Sequence, residues 1–281
     1  MARVPFARTC LLLALSSLSS SVAAAPPVAK GAVAPAQVSK WKQALESGSE
    51  ADKLAALGEL ATAPSSAAPA AAGLVSELLL RGASQRVLEA ALAAAGKLGQ
   101  ASSSAAVAPY ARHRQPEVRR AAALALATTG GPEAVAAFRA ALRGNDRTLR
   151  GYAAAGLAKL QVKDAVPDLF AVLGKDVPEA AAAIGTLCAP ADCRKLFALI
   201  GTLPFDAMQS GLEPILLRPE TDVPEDVKLE LLERLRKLQT KEASVFLQTV
   251  RARYPEKGSA RIKNALEDAV NNRPVIERSK P

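Results

Sequence analysis

The stretch DRTLRGYAAAGLAKLQVKDAVPDLFAVL, residues 146–173, decides how this chain folds. Leu149-Arg150-Gly151-Tyr152-Ala153-Ala154 opens one apolar-periodic run that reaches Lys159-Leu160, and Ala165-Val166-Pro167-Asp168-Leu169 opens a second that ends at Leu173. Both runs have helical spacing, and Pro167 falls in a first turn, where a missing N–H costs no helical hydrogen bond. The stretch reads as two short helices joined by a turn.

The same pair recurs upstream. Val87, Val118 and Leu149 open equivalent first helices at intervals of 31 residues. Each is followed by a second apolar stretch, Ala106-Val107 to Tyr110, Ala134-Val135 to Leu142, and Ala165 to Leu173, with Pro132 and Pro167 punctuating the starts. In the run from Val118, the residues Val118, Ala121, Ala122, Ala125 and Thr129 fall on one helical face, and Arg120 and Ala123 face away. Weaker copies extend the array. Leu54 to Leu60 matches Leu92 to Leu98 at an offset of 38, with a longer turn around Pro64-Ser65, and Glu179 to Leu187 is followed by Leu196 to Ile200. Beyond Pro204 the match fades, although 223–272 still reads as helices, with Val227, Leu231, Leu235 and Leu238 on one stripe and Val245, Phe246 and Val250 on another. A helix pair of this size cannot bury its own apolar side; stacking on the next pair does so, and end units that cover the last face depart from the repeat. The expected organisation is therefore repeats over 37–203, divergent capping helices over 204–272 and a disordered tail over 273–281.

Composition agrees with this pattern. Of 281 residues, 49% are hydrophobic but only 4% aromatic, which leaves little bulk for a broad sandwich or barrel core and fits helices that approach closely. The formal net charge of +9 favours acidic partners without bearing on fold.

The N-terminus, MARVPFARTCLLLALSSLSSSVAAA, reads as a secretory signal peptide: Arg3 and Arg8 start it, an apolar run from Cys10 to Leu18 follows, and small residues close it. Cleavage is expected after Ala24, giving a 1–24 leader and a Pro/Ala-rich linker over 25–36. The serines interrupt the run too early for a membrane span of about 20 apolar residues. The mature chain is expected to be periplasmic or secreted, without a transmembrane span.

The unit Asp146-x-x-Leu149-Arg150-x-x-Ala153-Ala154-x-Gly156-Leu157, a turn, then Ala165-Val166-Pro167-x-Leu169 to Leu173 resembles a HEAT repeat of the short, PBS-lyase-like bacterial type. The resemblance is best from about Ser84 to Ile200 and partial from Ala51 to Ser84. It implies an all-α fold, a right-handed α-solenoid of antiparallel helix pairs whose second helices line a concave side, and a protein that binds other macromolecules. Some HEAT-like proteins resemble bilin lyases or alkylated-base DNA glycosylases, so an enzyme of the cytoplasm is the rival implication. A structural module held near anionic envelope surfaces by net charge is a third.

Residues that usually carry chemistry are scarce. No Gly-x-Ser-x-Gly elbow, His-Glu-x-x-His pair or Gly-x-x-x-x-Gly-Lys-[Ser/Thr] loop occurs, and no residue is singled out as catalytic. Cys188 and Cys193 flank an expected turn between two helices. A disulfide is the favoured reading in an exported chain, with two buried free thiols as the alternative and a redox or metal role the most distant. Zinc would need two further ligands and His113 is the single imidazole, so no metal and no cofactor are expected. His113 itself sits near a helix C-terminus, a favourable place for it whatever the function.

From Arg112 to Arg150 there are eight arginines against Glu117, Glu133 and Asp146. With Val135, Phe138 and Leu142 buried, Arg139 and Arg143 lie one turn apart on the flank of a second helix and can form a strip with Arg112 and Arg147. Such a strip attracts carboxylates or phosphates, although arginines at 119 and 150 also serve to solvate and join repeats. Few aromatics interleave, which argues against nucleic acid. The sequence therefore points to a non-catalytic extracytoplasmic scaffold for a protein or peptide with acidic patches, bound on the concave second-helix surface through Arg112, Arg139, Arg143 and Arg147.

Overall fold

The computed structural model describes residues 34–175 and 177–271. The expected leader at 1–24, most of the linker and the tail at 273–281 lie outside these residues. Fifteen α-helices follow one another among the described residues. The even-numbered ones are α2 (Glu50–Leu60), α4 (Gln85–Leu98), α6 (Pro116–Thr129), α8 (Arg147–Lys159), α10 (Pro178–Leu187), α12 (Phe205–Leu217) and α14 (Lys241–Arg253). The odd-numbered ones are α1 (Pro35–Ser47), α3 (Ala68–Arg81), α5 (Ser104–Val107), α7 (Gly131–Leu142), α9 (Val166–Leu173), α11 (Pro190–Ala198), α13 (Glu225–Leu238) and α15 (Ala260–Asn271). A 3-10 segment, Ala108–Arg112, prolongs α5.

Helix ends follow local chemistry. Ser49 and Asp52 form a reciprocal capping box at α2, Asp146 caps α8 by accepting from the Leu149 amide, and Thr240 caps α14 by accepting from Ala243. Pro116, Pro132, Pro178 and Pro190 sit in first turns. Gly99 (φ 60°) and Gly130 (φ 68°) end α4 and α6 in backbone that other residues rarely adopt. One boundary moves: α1 begins at Pro35, inside the stretch expected as linker, because a proline at the first helical position costs no hydrogen bond.

Every even helix packs on its even neighbours from α2 through α14, while α1, α3, α5, α7 and α9 form a second row, and α11, α13 and α15 pack in the same order. Two layers of antiparallel hairpins result, an α-solenoid. The helices beyond Pro204 continue the alternation without a break. Phe138 of α7 shows how units lock, its ring lying where a Cβ on Gly156 of α8 would stand.

Even helices are flanked on both sides, so their buried arc is wider than one stripe. On α6, Ala123 is 1% exposed, a correction to the expectation that it faces away; solvent meets only Pro116, Glu117, Arg120, Leu124 and Thr128 fully. On α14 the buried stripe is Ala243, Phe246, Leu247 and Val250, whereas Val245, expected on it, is 53% exposed because it lies about 100° round from Phe246.

Candidate interaction surface

Odd helices present their outward sides to solvent, and it is here that the sequence placed a strip of arginines. On α7, Ala134, Phe138, Ala141 and Leu142 are buried. Arg139 lies on the flank facing α9: its Nη2 is 2.8 Å from Asp164 and its Nε 3.5 Å from Asp168. Ala137, Ala140 and Ala141 look the other way, into a groove shared with Ala111 and Arg112 of the preceding unit. Arg112 and Arg143 are exposed, Arg112 closing the 3-10 segment and Arg143 capping the C-terminus of α7. Arg147 opens α8 in the even layer and lines a cleft with Gly151, Tyr152, Pro178 and Glu179. The four residues therefore do not share one strip. Arg139 is committed to the next unit, Arg147 belongs to the other layer, and Arg112 and Arg143 occupy equivalent positions in consecutive units.

Asp164 and Asp168 had no place in the sequence reading. They stand 25 and 29 residues beyond Arg139, the distance to the next odd helix, so carrying the repeat register forward identifies them as its partners.

Arg119 and Arg150, 31 residues apart, join units at the turns. Arg119 donates to the carbonyls of His113 and Arg114 and holds Asp146 through Nη2 at 2.5 Å. Arg150 repeats the pattern, donating to the Gly144 carbonyl at 2.9 Å and to that of Lys175. The Leu149 amide, and after it the Arg119 guanidinium, hold the Asp146 carboxyl below the usual carboxylate range. His113 accepts from the Gln115 amide at Nδ1 and lies beside Tyr110. No three His, Cys, Asp or Glu side chains among the described residues are placed to hold a metal ion, and no described helix is long and apolar enough to cross a membrane.

Cys188 and Cys193 are joined as a disulfide, Cα atoms 5.3 Å apart, across the turn from α10 to α11. Both are fully buried. Arg218, just past α12, donates to the Cys188 carbonyl at 2.9 Å and to that of Gly185 at 3.2 Å, satisfying the end of α10. Burial pulls the Arg218 guanidinium below its usual range. The Arg218 carbonyl accepts from Lys228, a lysine 1% exposed whose Nζ also reaches Glu220 at 3.2 Å, and Glu220 accepts from the Tyr254 hydroxyl. The Glu220 carboxyl is lowered by its own backbone amide and by Lys228, while Tyr254 is pushed up to about 12, chiefly by burial and then by Glu220. This chain of polar contacts ties α10, α12, α13 and α14 together.

The HEAT-repeat family model matches residues 72–151. No curated protein matches the chain. Among solved structures, the complex of CpcE and CpcF of phycocyanin lyase from Nostoc sp. PCC7120 aligns with a TM-score of 0.47 and 15% identity, over 92% of this chain and 99% of that one. An engineered protein aligns with a TM-score of 0.44 and 20% identity, over 83% of this chain and 71% of that one. The paired helices, the 31-residue register and the turn arginines thus accompany a match to the HEAT-repeat family model that lies over residues 72–151.

Proposed function

We propose that this protein is a non-catalytic scaffold, working in the periplasm or after secretion, that binds another protein or peptide across its odd-helix surface. One observation carries the reading. The outward sides of α3, of α5 with its 3-10 extension, of α7 and of α9 carry small exposed residues, among them Ala70, Gly73, Ala105, Pro109, Ala136 and Ala171, beside Glu77 and Leu80 on α3. A surface of this kind lets a partner's backbone approach closely along several units and offers grooves rather than an enclosed pocket. The Cys188–Cys193 bond supports an oxidising compartment, since cytosolic thiols are kept reduced. The net charge of +9 favours a partner with acidic patches.

Site-specific photo-cross-linking in cells tests this. A cross-linker at Ala136, on the odd layer, is expected to yield protein adducts, and one at Thr128, on the even layer, is not. Adducts from Thr128 and none from Ala136 would refute the surface assignment, and no adducts from either position would refute the scaffold.

A further inference from the structure

Four exposed cations at the ends of the odd helices repeat in register. Arg81 is the last residue of α3, Arg112 the last of the 3-10 segment, and Arg143 the C-cap of α7, at intervals of 31 residues; Lys175 follows α9 after another 32. All four are exposed. Arg81 stands 4.0 Å from Glu46, and the side chains of Arg112, Arg143 and Lys175 make no ion pair among the described residues. Three neighbouring guanidiniums are occupied: Arg119 by Asp146, Arg139 by Asp164 and Asp168, and Arg150 by two carbonyls. Because α3, α5, α7 and α9 pack in succession, the four cations form a ladder along the edge where odd helices end. Arg114, exposed in the turn after Arg112, widens it at the second rung.

Packed helices lie about 8–10 Å apart, so the rungs repeat at about that spacing over roughly 30 Å. A polyproline II strand brings every third side chain to the same side at about 9.3 Å. A β-strand repeats a face at about 6.8 Å, and a nucleic-acid strand carries a charge about every 3.4 Å. We propose that this ladder binds an extended polypeptide segment in polyproline II conformation carrying carboxylates at every third position. The inference rests on the scaffold reading for the ligand being a polypeptide, and goes beyond it in naming the edge, the conformation and the charge spacing. Helix C-termini favour cations in any case, so the test must read ligand binding and not stability.

The test uses the full chain and two labelled proline-rich peptides of identical length and composition, one with four glutamates at every third position and one with the four in a block. In fluorescence anisotropy at low ionic strength the spaced peptide is expected to bind about tenfold tighter, the sum of several exposed pairs. The R112E/R143E variant should lose that preference with its circular dichroism unchanged, R112Q/R143Q should reduce it, and K241E/R251E on α14 should keep it. Equal binding of the two peptides, or a preference that survives in R112E/R143E, would overturn the ladder. Cosedimentation with phosphatidylserine vesicles that depends on Arg112 and Arg143, without peptide binding, would assign the edge to a lipid surface and also overturn it. Cross-linking at Ala136 reports separately: adducts there with no spacing preference sink the ladder and leave the scaffold standing.

Discussion

Gly185 of α10 and Gly211 of α12 meet backbone to backbone: a Cβ on Gly185 would overlap the Gly211 carbonyl, and one on Gly211 would overlap the carbonyl of Ala181. No flexible side chain is there to yield. Gly185→Ala or Gly211→Ala is expected to cost about 3 kcal/mol, the upper part of the overpacking range, measured by urea denaturation. Gly58, also in a helix, has nothing within 4 Å of a built Cβ, so Gly58→Ala should stabilise by about 0.5–1 kcal/mol. If all three substitutions behaved alike, the crossing of α10 and α12 would not be as close as described.

The disulfide should be structural and protected. Its cysteines are five residues apart and fully buried, so closing so short a loop contributes about 2 kcal/mol in the chain-entropy model. The C188A/C193A variant should melt about 4–8 °C lower. Native protein should resist dithiothreitol until denaturant is added. Rapid reduction under native conditions would mean that the α10–α11 turn opens readily.

The α-solenoid was legible from the 31-residue register because an interval that returns the same apolar pattern leaves no other way to bury it. The cysteine pair was legible for a different reason, a short loop at a helix–helix turn. Ala123 and Val245 were misplaced because a helical wheel assumes one buried face, whereas an even helix is covered from both sides and an end helix from fewer. The arginine strip failed on Arg139 because its partners lie a full unit ahead, where charge counting within 112–150 could not find them. The Gly185–Gly211 crossing was hidden altogether: a glycine in a run of alanines carries no sign of what it touches.

Asp146 links two effects. It caps α8 and pairs with Arg119 from the preceding unit, and both hold its carboxyl below the usual range. A folded pKa that is depressed adds stability above the unfolded value of about 3.9 and loses it as pH falls through the folded value. Asp146→Asn keeps a capping oxygen but not the charge, so it should cost about 1 kcal/mol at neutral pH. The gap between Asp146→Asn and the parent should close as the pH drops below about 4. Urea midpoints recorded from pH 7 to 3 provide the check, and a gap that has not narrowed at all by pH 3 would show that the charge is not its source.

At the other pH extreme, Tyr254 sets the response of the C-terminal helices. Its hydroxyl donates to Glu220, its ring lies 6.0 Å from the Lys228 ammonium, and its pKa is pushed up to about 12, first by burial and then by the Glu220 charge. A folded pKa above the unfolded value of about 10 means a contribution that is complete below pH 10 and is lost as the pH climbs through 12, because the unfolded chain releases this proton first. Tyr254→Phe removes the proton and the hydrogen bond together, so the variant should be less stable at pH 8 and flatter between pH 10 and 12. Tyrosinate absorbance near 295 nm reads the group directly: of three tyrosines in the chain, one should titrate near 12 in the native protein and vanish from the titration in Tyr254→Phe. A native titration complete by pH 10.5 would show that Tyr254 is open to water and that the contacts running from Cys188 through Arg218 and Lys228 end before α14.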